Sequence, residues 1–359
     1  MGNLMNDRSK MEDLYSKYQG FQTPAAKLLV GDRGVDLIRS LNAQIDQLNL
    51  ALSLDTASSV TFTIVNAYDH KKRTFDNAIM DQLVLGNLLK VELGYASNTE
   101  KVFTGFIYGV RAEFSDMAAI SVTAMDVRRL MQDSAKSSHT WKYETYSEVF
   151  KQVMQPYKKL YSRLVVDQTA DQAFQSIIQN ETDMEFVKKL CSQANRDFFV
   201  FDDVIYFRRK AKKAVSVSLS WGRDLISFSK ESLYANQKYT VVGLMKDGKE
   251  SVSSTVEIKS DDRIKTVVSG NNETVVASAS ADSKTKAEEK AAKKAEEERK
   301  KKQSGQGTCV GLPQLIPGRP VNITGLDTRV NGDYMLKSVN HSFGSDGFQT
   351  SFVIGGFES

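Results

Sequence analysis

The chain has 359 residues, of which 41% are hydrophobic and 26% are charged. This length and balance are typical of a globular protein with two or three domains, and they exclude fibrous and predominantly disordered chains. The formal net charge of +4 comes entirely from the run 284–302, which holds nine Lys or Arg and five Glu. Because the basic excess is confined to one run of mixed sign, the composition argues against specific nucleic-acid binding.

The N-terminal residues and the cysteines indicate where the chain folds. No apolar run approaches the roughly 20 residues that span a bilayer, and the start of the chain lacks the apolar core of a signal peptide. Cys191 and Cys309 lie far apart, without the spacing of a metal site. We therefore expect a protein that folds in a cytoplasm, with two free thiols and no membrane anchor.

The first part of the chain is predicted to be a small β-barrel. Residues 1–20 are polar and predict a short helical or disordered extension that orders against a neighbouring protein. Strand patterns begin at Phe21 and continue to about residue 132. The clearest alternating runs are Pro24–Val30, Leu48–Leu54, Ser59–Val65 and Ile120–Ala124. We interpret residues 21–132 as the first barrel.

The pattern changes to mixed helix and strand over residues 133–212. Thr182 and Glu185 form a capping box that starts a helix, and Asn195 suits the left-handed end of that helix. Two apolar strands follow, joined by a tight turn at Asp202-Asp203: Phe198–Phe201 and Val204–Phe207. Both strands are apolar on both faces and need cover on both sides, so we expect an α/β insert with its own core.

Strand patterns return over residues 213–359 and predict a second barrel. Its strands include Val215–Leu219, Tyr239–Met245 and Val252–Ile258. An Ala/Lys/Glu segment, 271–307, interrupts the barrel and predicts a charged helix or linker. The chain ends in a meander from Gly311 to Ile354, in which Phe348, Thr350, Phe352 and Ile354 share one face.

The two predicted barrels share sequence features. Gly86 and Gly318 each lead into a short strand. The longer strand that follows contains Val110 and Phe114 in the first case, and a Val and a Phe with the same spacing, Val339 and Phe343, in the second. These parallels favour two related barrels in one chain, so we expect an α+β fold in which an α/β insert separates two small β-barrels. The alternative is that any two meanders share glycine turns and alternation.

The residues that could carry chemistry do not form a catalytic set. The chain has no GxSxG, GxxxxGK[ST], GxGxxG or HExxH motif. The three histidines, His70, His139 and His341, are isolated in the sequence. Turn chemistry explains the pairs Asp202-Asp203 and Asp261-Asp262.

The remaining candidates also have simple structural explanations. Asp183 lies at a helix start, where acidic residues are common. Trp141 and Trp221 are expected to anchor a core or an interface. The sequence therefore predicts no catalytic residues, no cofactor and no metal site.

Two segments in a fixed order resemble a known family. They are the capped helix with its hairpin, Thr182 to Phe207, and the Ala/Lys/Glu helix leading into Gly311-Leu312-Pro313-Gln314. Both resemble the phage late control D protein family, which is related to the baseplate hub of contractile phage tails and to the front part of VgrG spike proteins of type VI secretion. The resemblance covers the chain from about Phe21 to its end.

The resemblance implies a structural role in a particle. Members of the family are homotrimers in which two similar barrels per chain form a pseudo-sixfold ring. Such a ring joins a hexameric tail tube to a trimeric spike and contacts other baseplate proteins. We therefore expect a non-enzymatic baseplate hub of a contractile phage tail, a tailocin or a related injection particle, assembled in the bacterial cytoplasm. Because the sequence stops at Ser359 after the second barrel, we expect the spike to be a separate chain.

Two other functions stay open on the sequence alone. A tail-associated peptidoglycan hydrolase would use the insert, 133–209, as a degenerate catalytic domain with Asp183 or Glu185 as its acid. A binding module for a toxin or effector would use the helix within 284–302.

Overall fold

Strands dominate the structure, which is a computed structural model. It describes residues 4, 8–136, 138–142, 145–169, 177–209, 215–244, 251–259, 265, 273–278, 281 and 283–357. The α+β class predicted from the sequence is confirmed, and the protein is mostly β with few helices. Among the described residues, no helix is both long enough and apolar enough to cross a bilayer.

The secondary structure falls into three stretches of the chain. Up to residue 125 the elements are α1 (Met11–Lys17), β1 (Pro24–Val30), β2 (Val35–Asp36), β3 (Gln44–Ser53), β4 (Ser59–Val65), β5 (Tyr68–Asp69), β6 (Thr74–Phe75), α2 (Asn77–Met80), β7 (Leu88–Tyr95), β8 (Asn98–Phe114) and β9 (Ala118–Met125). The middle stretch contains α3 (Val127–Gln132), β10 (His139–Trp141), α4 (Tyr146–Val153), β11 (Arg163–Val166), β12 (Ile177–Gln179), α5 (Asp183–Ala194), β13 (Arg196–Phe201) and β14 (Val204–Arg209). The last stretch contains β15 (Ser218–Ser220), β16 (Leu225–Ser232), β17 (Asn236–Leu244), β18 (Ser251–Lys259), β19 (Glu273–Ala277), α6 (Lys284–Lys301), β20 (Gln303–Val310), β21 (Pro320–Thr324), β22 (Gly332–Gly344) and β23 (Gly347–Phe357).

One large sheet of 13 strands runs through both ends of the chain. We call β1–β4 with β7–β9 its first half, and β15, β16 and β20–β23 its second half. The halves join where β3 pairs antiparallel with β22, from Ser53 opposite Ser338 to Gln47 opposite Gly344. The sheet is therefore continuous across the two predicted barrels, and a single hydrophobic core underlies both halves.

Period-two alternation gives this sheet its two different faces. On β3 the side chains of Leu48, Leu50 and Leu52 are buried, whereas Asn49 and Ala51 point to the opposite face. Such alternation is expected where one face of a sheet is packed and the other is solvated. The same pattern on β23 confirms the predicted buried face of the closing meander.

The insert has the elements that the sequence predicted. The capping box of Thr182 and Glu185 starts α5, and Asn195 ends it in the left-handed conformation with φ of 50°. The β13–β14 hairpin packs on both of its faces. Ile205 and Phe207 belong to the core of the insert, whereas Phe199, Phe201 and Tyr206 reach the core of the large sheet. The apolar residues on both faces of this hairpin thus attach the insert to the rest of the protein.

A separate three-stranded sheet, which we call the side sheet, lies between β16 and β20 along the chain. Its order is β18-β17-β19, and α6 packs against it through the buried residues Ala287 and Ala291. The sequence prediction placed the strands 239–245 and 252–258 in the second barrel; they instead pair with each other in the side sheet. Alternation identified them as strands but carries no information about their partners.

The N-terminal segment packs against its own chain. Leu4, Met11, Leu14 and Tyr18 are buried in the core of the large sheet. Gln314 Nε2 donates a hydrogen bond to the Tyr18 hydroxyl at 2.7 Å. The sequence predicted a short helical or disordered segment that orders against a neighbour; its described part contains the helix α1 and packs against its own chain.

A fully buried ion pair ties the start of the insert to the first half. The side chains of Arg128 and Asp126 are 0% and 2% exposed, and their closest atoms are 2.6 Å apart. Arg128 also donates to the carbonyl oxygen of Ser53 at 2.8 Å and to Ser58 Oγ at 2.9 Å. The guanidinium thereby holds the β3–β4 connection against the first turn of α3.

Removing the carboxylate of this pair should destabilise the protein. In Asp126→Asn the Arg128 charge stays buried without its counter-ion, so we expect the free energy of unfolding to fall by about 3 to 5 kcal/mol. Asp55→Asn is the control, because Asp55 pairs with Lys337 at the surface, and it should change the value by less than about 1 kcal/mol. Urea denaturation followed by circular dichroism measures both variants. Equal effects of the two substitutions would contradict this account of the buried pair.

Candidate functional site

The two halves of the large sheet repeat one strand order. The first half runs β3-β4-β9-β8-β7-β1, and the second runs β16-β20-β23-β22-β21-β15. Each strand of one half thus has a counterpart in the other, with β3 corresponding to β16 and β8 to β22. The halves differ at the sixth strand, because β1 is antiparallel to β7 whereas β15 is parallel to β21.

The repeat extends to individual hydrogen bonds. Gly86 N–H donates to the carbonyl oxygen of Ile107 at 2.8 Å, and Gly318 N–H donates to that of Leu336 at 2.7 Å. Both glycines have positive φ, 84° and 78°, a conformation that favours glycine. The strand register also shifts immediately after Ile107 in one half and after Leu336 in the other. The shared features noted in the sequence therefore reflect a repeated structure.

The halves differ in which strand edges are occupied. On β22, residues 338–344 pair with β23 on one edge and with β3 on the other. The corresponding part of β8, residues 108–114, pairs with β9 on one edge, and no described strand pairs with the other. Among the described strands, β16 likewise pairs only with β20. We call these two unpaired edges the β8 edge and the β16 edge.

Large apolar side chains are exposed along both edges. Tyr108 and Phe114 on the β8 edge are 43% and 66% exposed. Ile226 on the β16 edge is 55% exposed, and Leu233 and Tyr234 directly after it are 47% and 50% exposed. Unpaired strand edges bind other strands unless charge or cover prevents it, and exposed apolar side chains add to that tendency. The two edges are therefore the best candidates for an assembly surface.

The face of the large sheet opposite its core has an unusual composition. From β20 to β9 the paired positions on this face carry no Lys, Arg, Asp or Glu apart from Asp333, which lies opposite Asn322 of β21. Other charged residues lie on β8 and β16 and at two exposed, unpaired positions, Lys337 of β22 and Asp46 of β3. A shallow groove of about 240 Å³ crosses its second half. Representative residues of this uncharged face are Gln306, Thr308, Ser351, Asn340, Ser342, Asn49, Thr61, Thr63, Ser121 and Thr123.

Comparison with known families identifies the chain. A family model described as the Alg8 N-terminal domain matches residues 36–344. The chain belongs to this family. The match includes strands from both halves of the large sheet, together with the insert and the side sheet. No curated protein sequence matches the chain.

Solved structures of tail proteins share the fold of this member of the Alg8 N-terminal domain family. The 43 kDa tail protein of prophage MuSo2 from Shewanella oneidensis is 16% identical with a TM-score of 0.69, and the match covers 92% of this chain and 98% of that chain. The tail protein from Neisseria meningitidis MC58 is 14% identical with a TM-score of 0.67, covering 93% and 97%. A chain of the Francisella PdpA-VgrG complex is 10% identical with a TM-score of 0.60, covering 97% and 62%. The resemblance to tail hub and VgrG proteins is confirmed as a shared fold.

The histidines do not come together in the structure. His70 lies in the β5–β6 turn and His139 in the insert, and both are exposed. His341 is completely buried on β22, where its Nδ1 lies 2.9 Å from Thr350 Oγ1. Thr350 Oγ1 already accepts the Leu312 N–H, so its hydroxyl proton is free to reach Nδ1. Burial lowers the pKa of His341 to about 3.

Asp183 and Glu185 both have structural roles. Asp183 accepts hydrogen bonds from the Tyr157 hydroxyl at 2.5 Å and from Gln179 Nε2 at 2.7 Å. Glu185 completes the capping box of α5 with Thr182. The two carboxylates are thus engaged in hydrogen bonds that hold the insert together.

The tryptophans and the paired aspartates fall in different regions. Trp141 is half-buried and donates from Nε1 to Gln179 Oε1 at 3.0 Å, as expected of a core anchor. Trp221 is 57% exposed just before the β16 edge. Asp202-Asp203 form the turn of the β13–β14 hairpin as predicted, and Asp261-Asp262 lie outside the described residues.

A polar cleft of about 460 Å³ lies between the first half and the insert. Burial raises the pKa of Asp202, despite a hydrogen bond from the Thr104 hydroxyl at 2.7 Å. Burial also pushes the pKa of Glu92 upward, but hydrogen bonds from Lys27 and Thr99 outweigh it and hold that pKa below its usual value. Opposite pKa shifts in two nearby carboxylates are typical of a catalytic acid and base. Here each carboxylate is already bound. Asp202 attaches the insert to β8 through Thr104, whereas Glu92 joins β7 to β1 and β8 through Lys27 and Thr99.

Sequence reasoning missed the two edges because alternation does not show which strand lies beside which. One signal was present, since Phe114, Ile226 and Leu233-Tyr234 are large apolar residues at strand ends. Among the described residues, no group of three or more His, Cys, Asp or Glu is placed to hold a metal ion.

The buried His341 should make the protein less stable in acid. An unfolded histidine takes up a proton near pH 6.5, whereas the buried ring stays neutral to about pH 3. Between these values only the unfolded state gains the proton. As the pH is lowered, the free energy of unfolding therefore decreases by up to about 1.4 kcal/mol per pH unit.

Urea midpoints measured from pH 7.5 to pH 4.5 test this effect. His341→Gln should reduce the slope, and the same substitution at the exposed His70 is the matched control. An identical slope in the wild type and in His341→Gln would show that another group causes the acid sensitivity.

The hydrogen bonds of Asp183 predict a structural role for this residue. We expect the protein not to clear purified peptidoglycan, and Asp183→Asn to lower the melting temperature by weakening its bonds with Tyr157 and Gln179. A turbidity assay with lysozyme as the positive control measures the clearing of peptidoglycan. Thermal unfolding measures the melting temperature of Asp183→Asn. Clearing by the wild type that disappears in Asp183→Asn would instead favour the hydrolase.

Proposed function

We propose that the protein is a structural baseplate hub of a contractile phage tail, a tailocin or a related injection particle. Three copies form a ring that joins a hexameric tail tube to a separate trimeric spike. The observation that carries this proposal is the repeat of strand order, bulges and hydrogen bonds between the two halves of the large sheet. Two similar barrel-like units per chain give three chains six similar units.

This repeat suits a protein between partners of different symmetry. A sixfold tube needs six equivalent contacts, and two units of similar outline per chain supply them from a trimer. A threefold spike needs features that occur once per chain. The insert follows only the first half, and the side sheet interrupts only the second half. The shared fold with phage tail proteins and with a chain of a VgrG complex supports the same role.

Apart from the sixth strand and the strand edges, the halves differ mainly in the connections between their strands. The link between β3 and β4 is the short stretch 54–58, whereas the corresponding link between β16 and β20 contains the whole side sheet. Connections vary more readily than the strands they join. We therefore assign the side sheet and the insert to contacts with the spike and with other baseplate proteins.

The uncharged face suits the wall of a channel through the ring. Hydroxyl and amide side chains such as Asn49, Thr61 and Ser351 keep the face wetted by water. Without charges or large aromatic rings it offers little that would hold a passing polymer electrostatically or by stacking. In this arrangement the hydrophobic core of each barrel-like unit lies on the side of the sheet that faces away from the channel.

Light scattering of the purified chain, alone and with its tail-tube and spike proteins, tests the proposal. We expect a mass of three chains, either directly or after the spike protein is added. Electron microscopy of that complex should then show six similar lobes around one axis. A chain that stays monomeric with both proteins present, or a ring of another symmetry, would overturn the proposed function.

A further inference from the structure

We propose that the β8 edge of one copy pairs with the β16 edge of the next copy as antiparallel strands, in one definite register. In that register Phe114 lies opposite Phe228, and Val110 lies opposite Ser232. The inference rests on the proposed function because it requires a ring of copies. It identifies the partner of both edges as a second copy of this chain.

The contact between β22 and β3 within one chain provides the reference geometry. There Phe343 lies opposite Leu48, and Val339 lies opposite Leu52. The pairing joins the second half to the first half. A contact from the first half of one copy to the second half of the next would repeat this step with the counterparts β8 and β16.

The counterparts on β22 and β8 follow from their pairing with the closing strands. Val339 lies opposite Phe352 on β23, and Val110 lies opposite Val122 on β9. Each valine comes just after the register shift in its strand, and each is followed four positions later by a phenylalanine. Val110 therefore corresponds to Val339, and Phe114 corresponds to Phe343.

The counterparts on β3 and β16 follow by stepping across the sheet. Val122 lies opposite Phe62 on β4, which lies opposite Leu48 on β3. In the second half, Phe352 lies opposite Gly307 on β20, which lies opposite Phe228 on β16. Phe228 therefore corresponds to Leu48. The pair of Phe343 with Leu48 becomes the pair of Phe114 with Phe228.

The side chains on the core face agree with this register. Phe114 is 66% exposed in a single copy although its ring packs against Phe75 and Tyr68. Phe228 is half-buried and packs against Tyr334. Pairing would place the two phenylalanines beside each other, and aromatic cross-strand pairs stabilise sheets.

The charges on the opposite face agree as well. The register places Arg111 opposite Glu231 and Glu113 opposite Ser229, so an opposite-charge pair forms across the contact. Sliding β16 by two residues in one direction would place Glu113 opposite Glu231, which is a repulsive pair. Sliding it by two in the other direction would place Arg111 opposite Ser229. Only the derived register directly pairs the basic residue with an acidic one.

This contact is heterologous, because two different edges meet. Heterologous contacts build closed rings or open filaments, according to the rotation between successive copies. Here the contact between copies repeats the step already fixed inside each chain by β3 and β22. Contacts within and between chains would then alternate around a ring of six units.

Charge reversal tests the pairing of Arg111 with Glu231. We expect Arg111→Glu or Glu231→Arg alone to weaken the association of copies about tenfold or more, because like charges then lie opposite each other. The two substitutions combined should restore most of the association. Lys72→Glu is the matched control, because Lys72 is an exposed residue of the β5–β6 turn and lies on neither edge. Sedimentation of the full chain with the spike protein measures each variant.

Cross-linking tests the register itself. Ala112 would lie opposite Lys230, so the full chain with Ala112→Cys and Lys230→Cys should form disulfide-linked dimers and trimers on oxidation. The control carries Ala112→Cys and Ile226→Cys, whose strand positions would be about 13 Å apart. Both variants also carry Cys191→Ser, because Cys191 is partly exposed, whereas the native Cys309 is buried.

The two proposals fail in different ways. A threefold ring that forms normally, yet neither cross-links at these positions nor responds to charge reversal, would overturn the register and leave the hub function intact. Cross-linking of the control in preference to the test pair would also overturn the register. Failure of the wild type to form any ring with its partner proteins would overturn the proposed function.

Discussion

The pairing of β3 with β22 is the contact on which the rest of the structure depends. It brings residues 47–53 beside residues 338–344 and makes one sheet from the two ends of the chain. Because side chains alternate along each strand, this single register fixes which residues of both halves face the core and which form the uncharged face. The β16 edge stays unpaired at one end of the strand order, and the β8 edge stays unpaired in the part of β8 beyond its pairing with β7.

The local elements could be predicted from the sequence because short-range interactions define them. The capping box of Thr182 and Glu185, the hairpin around Asp202-Asp203 and the closing meander each depend on residues a few positions apart. The repeat was also visible, since Gly86 and Gly318 occupy equivalent turns. The α+β class followed from the same patterns.

Pairing between distant strands could not be predicted in this way. Alternation on β17 and β18 identified strands, but nothing in it distinguished the side sheet from the large sheet. The extension before Phe21 appeared too polar to belong to a core, yet Leu14 and Tyr18 lie on the one buried side of α1 and the turn after it. Hydrogen-bonding edges belong to the backbone, so side-chain patterns carried almost no information about the candidate assembly surface.

The separation of β3 and β22 along the chain also affects how the protein is made. A ribosome completes β3 early, but the strand that covers its edge is among the last to be synthesised. During that interval an emerging chain exposes an additional unpaired edge beside the apolar residues Leu48 and Leu50. Such edges promote pairing between nascent chains, and distant pairings form slowly. The edge of β3 therefore stays open until the last strands of the sheet have been synthesised.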